Sequence, residues 1–204
     1  HEFLSEVENT NLIEIIPGVE MSVSWYDLEL ENPFAGIHLL IYFLKKDTPI
    51  YELLSKIRIE KKNRNYEILE KLKKVGVEIE RKELDDLETK VPGRPHIANL
   101  MKSKGYVASL NEAFKEYLGN GKVGDSRIHQ NPIEEVIDCA KESKCLVFLA
   151  HPHTLMSNKD YSFSKNWYDS VFVDRLGSLK NLGIHGVETL SLIHISEPTR
   201  QNQI

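Results

Sequence analysis

Cysteine is scarce in this 204-residue sequence, which contains only two, Cys139 and Cys145. Two cysteines cannot form the disulfide framework of a small secreted fold, and this pair lacks the spacing of a zinc finger. The sequence therefore favours reduced thiols that pack in the core of an intracellular protein, and we expect a cytoplasmic location.

Long apolar runs and an excess of positive charge are also missing. No stretch approaches the length that spans a bilayer, and the first residues lack the apolar core of a signal peptide, so we expect no membrane partner. The net charge of −5 and the pI near 5.9 exclude a global basic field. Binding of long nucleic acid would then require a local basic patch, whereas small anionic substrates stay open.

What is present is the composition of an ordinary globular chain, 41% hydrophobic and 28% charged, long enough for one large or two small domains. The sequence begins with His1 rather than methionine, which suggests a fragment or a trimmed chain. Near the other end, "LSLIHISEPTR" resembles the translated adapter of a sequencing library. We therefore expect residues 190–204 to be a non-native tail in which His194 has no role; a native strand followed by a tail is the alternative.

Strand-like and helical segments alternate along the chain. "HEFLSEVENT" is typical of the end of an amphipathic helix, and "LIEIIPGVEMSVSW" of two β-rich runs that Pro17 and Gly18 separate. "GIHLLIYFL" and, much later, "CLVFLA" predict further strands. This alternation predicts an α/β fold with parallel strand pairing.

The middle of the chain is helical in pattern and highly charged. Ser109 and Glu112 have the spacing of a capping box, and Asn131 with Pro132 predicts the start of another helix. These patterns divide the chain into segments that we predict as follows: residues 1–47 and 144–189 form the α/β part, residues 48–143 form a helical insertion that acts as a lid, and residues 190–204 form the tail.

Three side chains stand out as candidate metal ligands. His151 directly follows the apolar run "CLVFLA", Glu20 follows a Pro-Gly bend, and His38 lies on an otherwise apolar strand. In barrels of parallel strands the catalytic groups lie at the carboxyl ends of the strands. A carboxylate and two imidazoles suit Mn²⁺, Zn²⁺ or Fe²⁺. A hydrogen-bonded core residue is the alternative for His38.

Four motifs carry a resemblance to a known family: "IIPGVEMSVSW", "GRPHIANLMKSKGYV", "AFKEYLGNGK" and "LVFLAHP". In this order they resemble the PHP-domain phosphoesterases, and among these the nucleoside 3',5'-bisphosphate phosphatase and 5'-to-3' exoribonuclease subfamily, also called TrpH-like. The resemblance covers His1 to Thr189. It implies part of a distorted (β/α)7 barrel with a helical insertion subdomain and a site for several divalent ions, with Mn²⁺ expected. It also implies that Glu20, His38 and His151 are metal ligands.

The activity that the resemblance implies is hydrolysis of phosphate esters of nucleotides, either nucleoside 3',5'-bisphosphates or RNA 5' ends. The family's Asp-x-His-x-His and Thr-Asp-His-Asp motifs would precede His1, and its Ser-Asp-x-His motif would follow Thr189. We therefore expect the middle of an enzyme that, alone, binds metal weakly and hydrolyses phosphoesters poorly. A degenerate PHP domain that serves as a binding or scaffolding module is the alternative.

Further residues are candidates for binding the substrate. Arg94 and His96 stand at a predicted helix start, where free backbone amides favour anions. Lys122, in the glycine-rich "GNGKVG", could reach the leaving nucleotide, and we place His153 at the mouth of the site rather than among the ligands. The alternatives are a surface charge for Arg94, a helix cap for His96 and a solvated loop for Lys122.

A few charged residues and histidines receive less weight. His129 could line the cleft, His185 is typical of a loop before a strand, and Glu188 offers only a weak signal. The basic run from Lys56 to Asn65 could steer an RNA 5' end, although a solvated helix face is the alternative. The expected partner is thus a small phosphorylated nucleotide or an RNA 5' end, and we infer no obligate protein partner.

Overall fold

The computed structural model describes residues 15–27, 32–87, 89, 91–126, 130–155 and 165–189. The predicted helix at His1, the cleft histidine His129 and the tail of residues 190–204 lie outside these ranges. The described strands are β1 (Gly18–Asp27), β2 (Asn32–Tyr42), β3 (Leu146–Ala150) and β4 (Gly186–Val187). The described α-helices are α1 (Pro49–Lys73), α2 (Arg81–Asp85), α3 (Arg94–Ser103), α4 (Leu110–Ala113), α5 (Ile133–Glu142) and α6 (Lys165–Leu182), and a π-helix (Phe114–Leu118) directly follows α4.

The chain divides into two compact units. The first, which we call the sheet unit, comprises the residues up to Glu52 and from Gln130 onward, and the second, the helical unit, comprises Leu53–His129. The domain boundaries expected from the sequence, after residues 47 and 143, stay a prediction. None of the helices within the described ranges is both long enough and apolar enough to cross a membrane.

The sheet has the strand order β1-β2-β3-β4, and its pairing differs from the prediction. β1 pairs antiparallel with β2, β2 pairs antiparallel with β3, and only β3 and β4 are parallel. Asp27 and Asn32 are partners at the end of the first pair. So short a connection excludes a parallel crossover, which needs a dozen or more residues. The mixed α/β class is confirmed, the expectation of parallel pairing is wrong for two of the three pairs, and the partial barrel stays a prediction.

One face of this sheet is the core of the sheet unit. Alternate residues of the strands are buried, which is the period that a half-buried strand requires. The buried side chains are Met21, Val23 and Trp25 in β1, Ile37, Leu39 and Ile41 in β2, and Val147 and Leu149 in β3. Helix α5 packs against β1 and β3 and is itself buried at Ile133, Val136, Ile137 and Ala140. The polar residues between these positions therefore lie on the opposite face.

Strand β1 begins at a glycine for a steric reason. A Cβ atom on Gly18 would lie 2.8 Å from Cδ1 of Tyr42 and 3.1 Å from the carbonyl oxygen of Ile41. The first distance is shorter than carbon contacts allow, so any residue other than glycine would require the Tyr42 ring to move where β1 approaches β2. The Pro-Gly bend in the sequence thus sets where the strand starts and places Glu20 near its beginning.

The helical unit has an apolar core of its own. It is formed by Ile68, Leu69, Leu72, Val77, Ile79, Leu84, Ile97, Ala98, Met101, Val107, Ala113 and Leu118. The predicted cap at α4 is present: Ser109 Oγ accepts from the Glu112 N–H at 3.1 Å. The Glu112 carboxylate accepts from the Ala108 N–H at 2.7 Å, one residue earlier than in the standard capping box. Helix α5 also starts where the Asn-Pro signal predicts.

The two leucines of β3 offer a matched test of the sheet core. Leu149 is fully buried, whereas Leu146 in the same strand is 37% exposed. We expect Leu149→Ala to lower the free energy of unfolding by about 2–5 kcal/mol, because it leaves a cavity. Leu146→Ala should cost less than about 1 kcal/mol, as at other surface positions. Urea denaturation followed by circular dichroism measures both, and equal losses would contradict the assigned burial.

Candidate metal centre

The polar face of the sheet brings Glu20 and His38 together. In the antiparallel register Glu20 lies opposite Leu40 and His38 lies opposite Ser22, so the two are diagonal neighbours on adjacent strands. Diagonal residues on one face are within reach of each other when the side chains are long. The antiparallel pairing that the sequence did not predict is thus what makes this contact.

His151 reaches the same place from the end of β3. Ala150 is the partner of His38, and His151 is the next residue along the chain. Its φ of 47° lies in the left-handed region, which is uncommon for residues other than glycine. Pro152 then begins a short 3₁₀ turn, Pro152–Leu155, in which the Thr154 N–H donates to the His151 carbonyl at 2.8 Å. The strand therefore ends just before His151, and the side chain of His151 departs from the regular alternation of the strand.

The three side chains converge as the sequence led us to expect. Glu20 Oε1 lies 2.7 Å from His38 Nδ1 and 3.4 Å from His151 Nε2. The two imidazole rings are 6.1 Å apart between centroids at an angle of 69°. One ligand atom from each residue lies within 4.8 Å of the other two. The side chains are 36–45% exposed, so the cluster is open to solvent.

The donor set fits a divalent cation. Carboxylate oxygen and imidazole nitrogen are the ligands of Zn²⁺, and they also suit Mn²⁺ and Fe²⁺. Ligands that each lie about 2.0–2.2 Å from one ion are at most about 4.4 Å apart, so only a small rearrangement of this cluster would bring all three ligands to one ion. Three protein ligands would leave coordination positions open for water or substrate, as catalytic metal sites do.

Sequence reasoning gave too little weight to Glu188, which follows β4. Its Oε2 accepts from the His151 backbone N–H at 3.0 Å and lies 3.3 Å from His151 Nδ1. One sequence signal points to it without being specific: "GVE" occurs three times, with Glu20, with Glu78 and with Glu188. The contact itself depends on the parallel pairing of β3 with β4, which local patterns do not reveal.

The other two histidines of this region have separate positions. His185 lies directly before β4, as predicted, and its Nδ1 accepts from the Val147 N–H at 3.0 Å. His153 lies in the 3₁₀ turn, with its ring centroid 6.2 Å from that of His151. Its Nδ1 is buried and has no hydrogen-bond partner within the described part of the chain. His153 is not among the converging ligands, and its place at the mouth of the site stays a prediction.

Three of the four residues predicted to bind substrate lie in the helical unit, at and after the start of α3: Arg94, His96 and Lys122. Arg94 is the first residue of α3 and donates from Nη1 to the Leu118 carbonyl at 3.1 Å. His96 Nδ1 accepts from the Gly93 N–H at 3.0 Å, so His96 caps this helix. Lys122 is exposed in a turn whose Gly121 has a φ of 74°. Their role toward a substrate stays a prediction.

Arg64 of α1 was not singled out by sequence reasoning and adds a charge beside Arg94. Burial lowers the pKa of the Arg64 guanidinium, and the nearby positive charge of Arg94 lowers that pKa further. The Arg64 Nε is buried and has no hydrogen-bond partner among the described residues. Next to it, buried Asn65 donates to the Pro92 carbonyl at 2.7 Å and so ties α1 to the segment that leads into α3. The charge of Arg94, at the start of α3, is thus near enough to disfavour the charge of Arg64.

Comparison with known proteins identifies relatives that this chain matches over part of their length. No family model matches the chain. It is 28% identical to the 5'-3' exoribonuclease of Haemophilus influenzae over 163 residues, which cover 79% of this chain and 55% of the relative. It is 27% identical to the 5'-3' exoribonuclease Rnm of Escherichia coli over 172 residues, 79% of this chain and 52% of the relative. The chain therefore spans about half the length of the curated relatives it matches.

Two solved structures share the fold. A candidate metal-dependent phosphoesterase from Bifidobacterium adolescentis superimposes with a TM-score of 0.60 at 18% identity, over 92% of this chain and 61% of that one. An amidohydrolase from Chromobacterium violaceum, solved with bound sulfate and no metal, superimposes with a TM-score of 0.59 at 19% identity, over 88% of this chain and 60% of that one. At sequence identities of 18% and 19%, these superpositions show a shared fold and nothing about a shared activity.

Proposed function

We propose that this chain is part of a metal-dependent phosphoesterase that hydrolyses phosphate esters of nucleotides, with nucleoside 3',5'-bisphosphates or RNA 5' ends as substrates. The observation that carries the proposal is the convergence of Glu20, His38 and His151, whose ligand atoms lie within 4.8 Å of one another. The names of two curated relatives, both 5'-3' exoribonucleases, and of one structural neighbour, a candidate metal-dependent phosphoesterase, agree with it.

The three side chains would have distinct tasks. Glu20 supplies the negative charge that balances part of the charge of a cation, and His38 and His151 supply neutral nitrogen donors. A bound divalent ion such as Mn²⁺, or alternatively Zn²⁺ or Fe²⁺, lowers the pKa of a coordinated water and polarises a phosphoryl oxygen. In the net reaction water adds its oxygen to phosphorus, the bond between phosphorus and the ester oxygen breaks, and the departing oxygen gains a proton.

Arg94 and His96 are proposed to bind a phosphate that is not being cleaved. The charge of Arg94 adds to that of Arg64, and guanidinium groups bind phosphate through two parallel hydrogen bonds. Because His96 Nδ1 accepts from the Gly93 N–H, the proton of the neutral ring is on Nε2, which is then a donor. The backbone of the first turn of α3 adds little, because Pro95 has no N–H and the His96 N–H donates to the Gly93 carbonyl at 2.9 Å.

Lys122 and His153 are proposed as further substrate contacts. Lys122 is exposed and can extend toward the nucleoside that leaves. His153 lies beside His151 in the 3₁₀ turn, next to the proposed metal centre. Neither side chain is needed to hold the ion, so substitution of either should affect substrate binding rather than metal affinity.

Metal binding by the cluster can be measured directly. We expect this chain to bind one Mn²⁺ weakly, and we expect Glu20→Gln or His38→Ala to weaken that binding by more than about 100-fold. Loss of a group that only hydrogen-bonds to a metal ligand typically lowers the metal affinity about 10–100-fold, and loss of a ligand itself should lower it more. Isothermal titration calorimetry gives both affinity and stoichiometry, with Glu134→Gln, an exposed site on α5, as the control. Tight binding of two or more ions per chain would contradict the expectation.

Hydrolysis tests the proposed function itself. With Mn²⁺ present, we expect slow release of phosphate from 3'-phosphoadenosine 5'-phosphate, or of mononucleotide from a 5'-phosphorylated oligoribonucleotide. Glu20→Gln should lower the rate at least about 100-fold, since a catalytic metal lowers the activation barrier by several kcal/mol. A chelator should stop the reaction, and Glu134→Gln should not. Metal binding without hydrolysis of either substrate would favour the alternative of a non-catalytic binding module.

Arg94 offers a test of substrate choice. Arg94→Ala should slow turnover of a nucleoside bisphosphate more than that of a simple aryl phosphate, because it removes a contact to the phosphate that only the first substrate has. A hydrogen bond to a charged group contributes about 1.5–3 kcal/mol, so the ratio of kcat/KM values should fall roughly 10- to 100-fold. Arg81→Ala, an exposed arginine of α2, is the matched control. Equal losses for both substrates would contradict the proposed contact.

A further inference from the structure

Glu188 lies beside Nδ1 of the His151 ring, whereas Glu20 lies beside Nε2. Val187 pairs with Leu149, and the Glu188 N–H donates to the Leu149 carbonyl at 2.9 Å, so the parallel pairing continues one residue beyond β4. This fixes the backbone of Glu188 beside the last residues of β3. Its side chain is 30% exposed, which is less than the side chains of Glu20, His38 and His151.

Glu188 holds His151 at two points. Its Oε2 accepts from the His151 backbone N–H at 3.0 Å, and the same oxygen lies 3.3 Å from the ring Nδ1. The backbone contact secures a residue whose φ of 47° is otherwise unfavourable for a side chain with a Cβ. The second contact places a carboxylate oxygen beside the ring Nδ1.

The two ring nitrogens of His151 face different carboxylates. Nδ1 lies 3.3 Å from Glu188, and Nε2 lies 3.4 Å from Glu20 Oε1, which belongs to the proposed metal centre. A neutral imidazole carries one proton, so a proton on Nδ1 leaves Nε2 bare and able to bind a cation. Glu20 Oε1 and Glu188 Oε2 each have one other N–H neighbour, His38 Nδ1 at 2.7 Å and the His151 backbone N–H at 3.0 Å, so the choice between them rests on Glu20, whose cation would take the place of a proton on Nε2.

We propose that Glu188 is a positioning residue that selects the Nδ1–H form of His151 and aims its Nε2 at the cation. The inference rests on the proposed function, because it assigns a role toward the metal centre formed by Glu20, His38 and His151. A carboxylate that accepts from the second nitrogen of a metal-binding histidine sets the tautomer and the ring orientation and makes the ligand nitrogen more basic. Glu188 thus acts through His151 and does not bind the ion.

The test uses the conservative variant Glu188→Gln, which keeps a carbonyl acceptor for the backbone N–H and removes the charge. Glu142→Gln, an exposed glutamate at the end of α5, is the matched control. We expect Glu188→Gln to weaken Mn²⁺ binding about 10-fold by calorimetry, within the range known for groups that hold a metal ligand. The absorption bands of bound Co²⁺ should keep their positions, because the ligand set is unchanged.

A second readout needs no metal. Nitrogen-15 NMR of the metal-free chain distinguishes the two tautomers of His151, and we expect the Nδ1–H form in the unaltered chain and in Glu142→Gln. Glu188→Gln should raise the fraction of the Nε2–H form. Unchanged amide spectra elsewhere in the sheet unit would show that the variant is folded.

The outcomes separate the two proposals. If the unaltered chain binds no Mn²⁺, the proposed function fails, while a tautomer shift in Glu188→Gln would still support the positioning role of Glu188. If Glu188→Gln leaves both the tautomer and the Mn²⁺ affinity unchanged, the positioning role is wrong. If the Co²⁺ bands move in Glu188→Gln, Glu188 is a ligand, and the positioning role is also overturned.

Discussion

The antiparallel register of β1, β2 and β3 is the constraint on which the candidate site depends. It places Glu20 diagonally across from His38 and places Ala150 opposite His38, so that His151 follows at the same edge. A shift of one residue in either pair would turn the polar side chains into the core and the apolar ones into solvent. The burial of the other face, against α5, therefore also holds the metal-ligand candidates in place.

The energetics of the cluster involve opposing effects at His151. Its left-handed backbone costs about 1–3 kcal/mol relative to an ordinary conformation. The hydrogen bond from its N–H to the Glu188 carboxylate contributes about 1.5–3 kcal/mol where the acceptor is charged, which offsets most of that cost. Glu188 thus stabilises a turn that directs a histidine ring toward Glu20, and it joins β4 to the site although β4 contributes no candidate ligand.

The helical unit brings positive charge to the start of α3. Arg64 and Arg94 lie close enough that the charge of Arg94 lowers the pKa of Arg64. The Asn65 side chain secures the segment before α3 through the Pro92 carbonyl, and His96 caps the helix. Two guanidinium cations favour a phosphate, and the neutral His96 ring can donate from Nε2, which is why Arg94 and His96 are proposed to bind the substrate.

The sequence by itself determined the strand around His38, the end of β3 at His151, and the helix starts at Ser109 and Pro132, because alternation, capping residues and proline act over a few neighbouring positions. It also singled out Glu20, His38 and His151, through their residue types and a family resemblance; their role as ligands stays a prediction. Only the tertiary structure decided the direction of strand pairing, the contact of Glu188 with His151 and the closeness of Arg64 to Arg94. These depend on residues far apart in the chain, and local periodicity carries no record of which strands become neighbours.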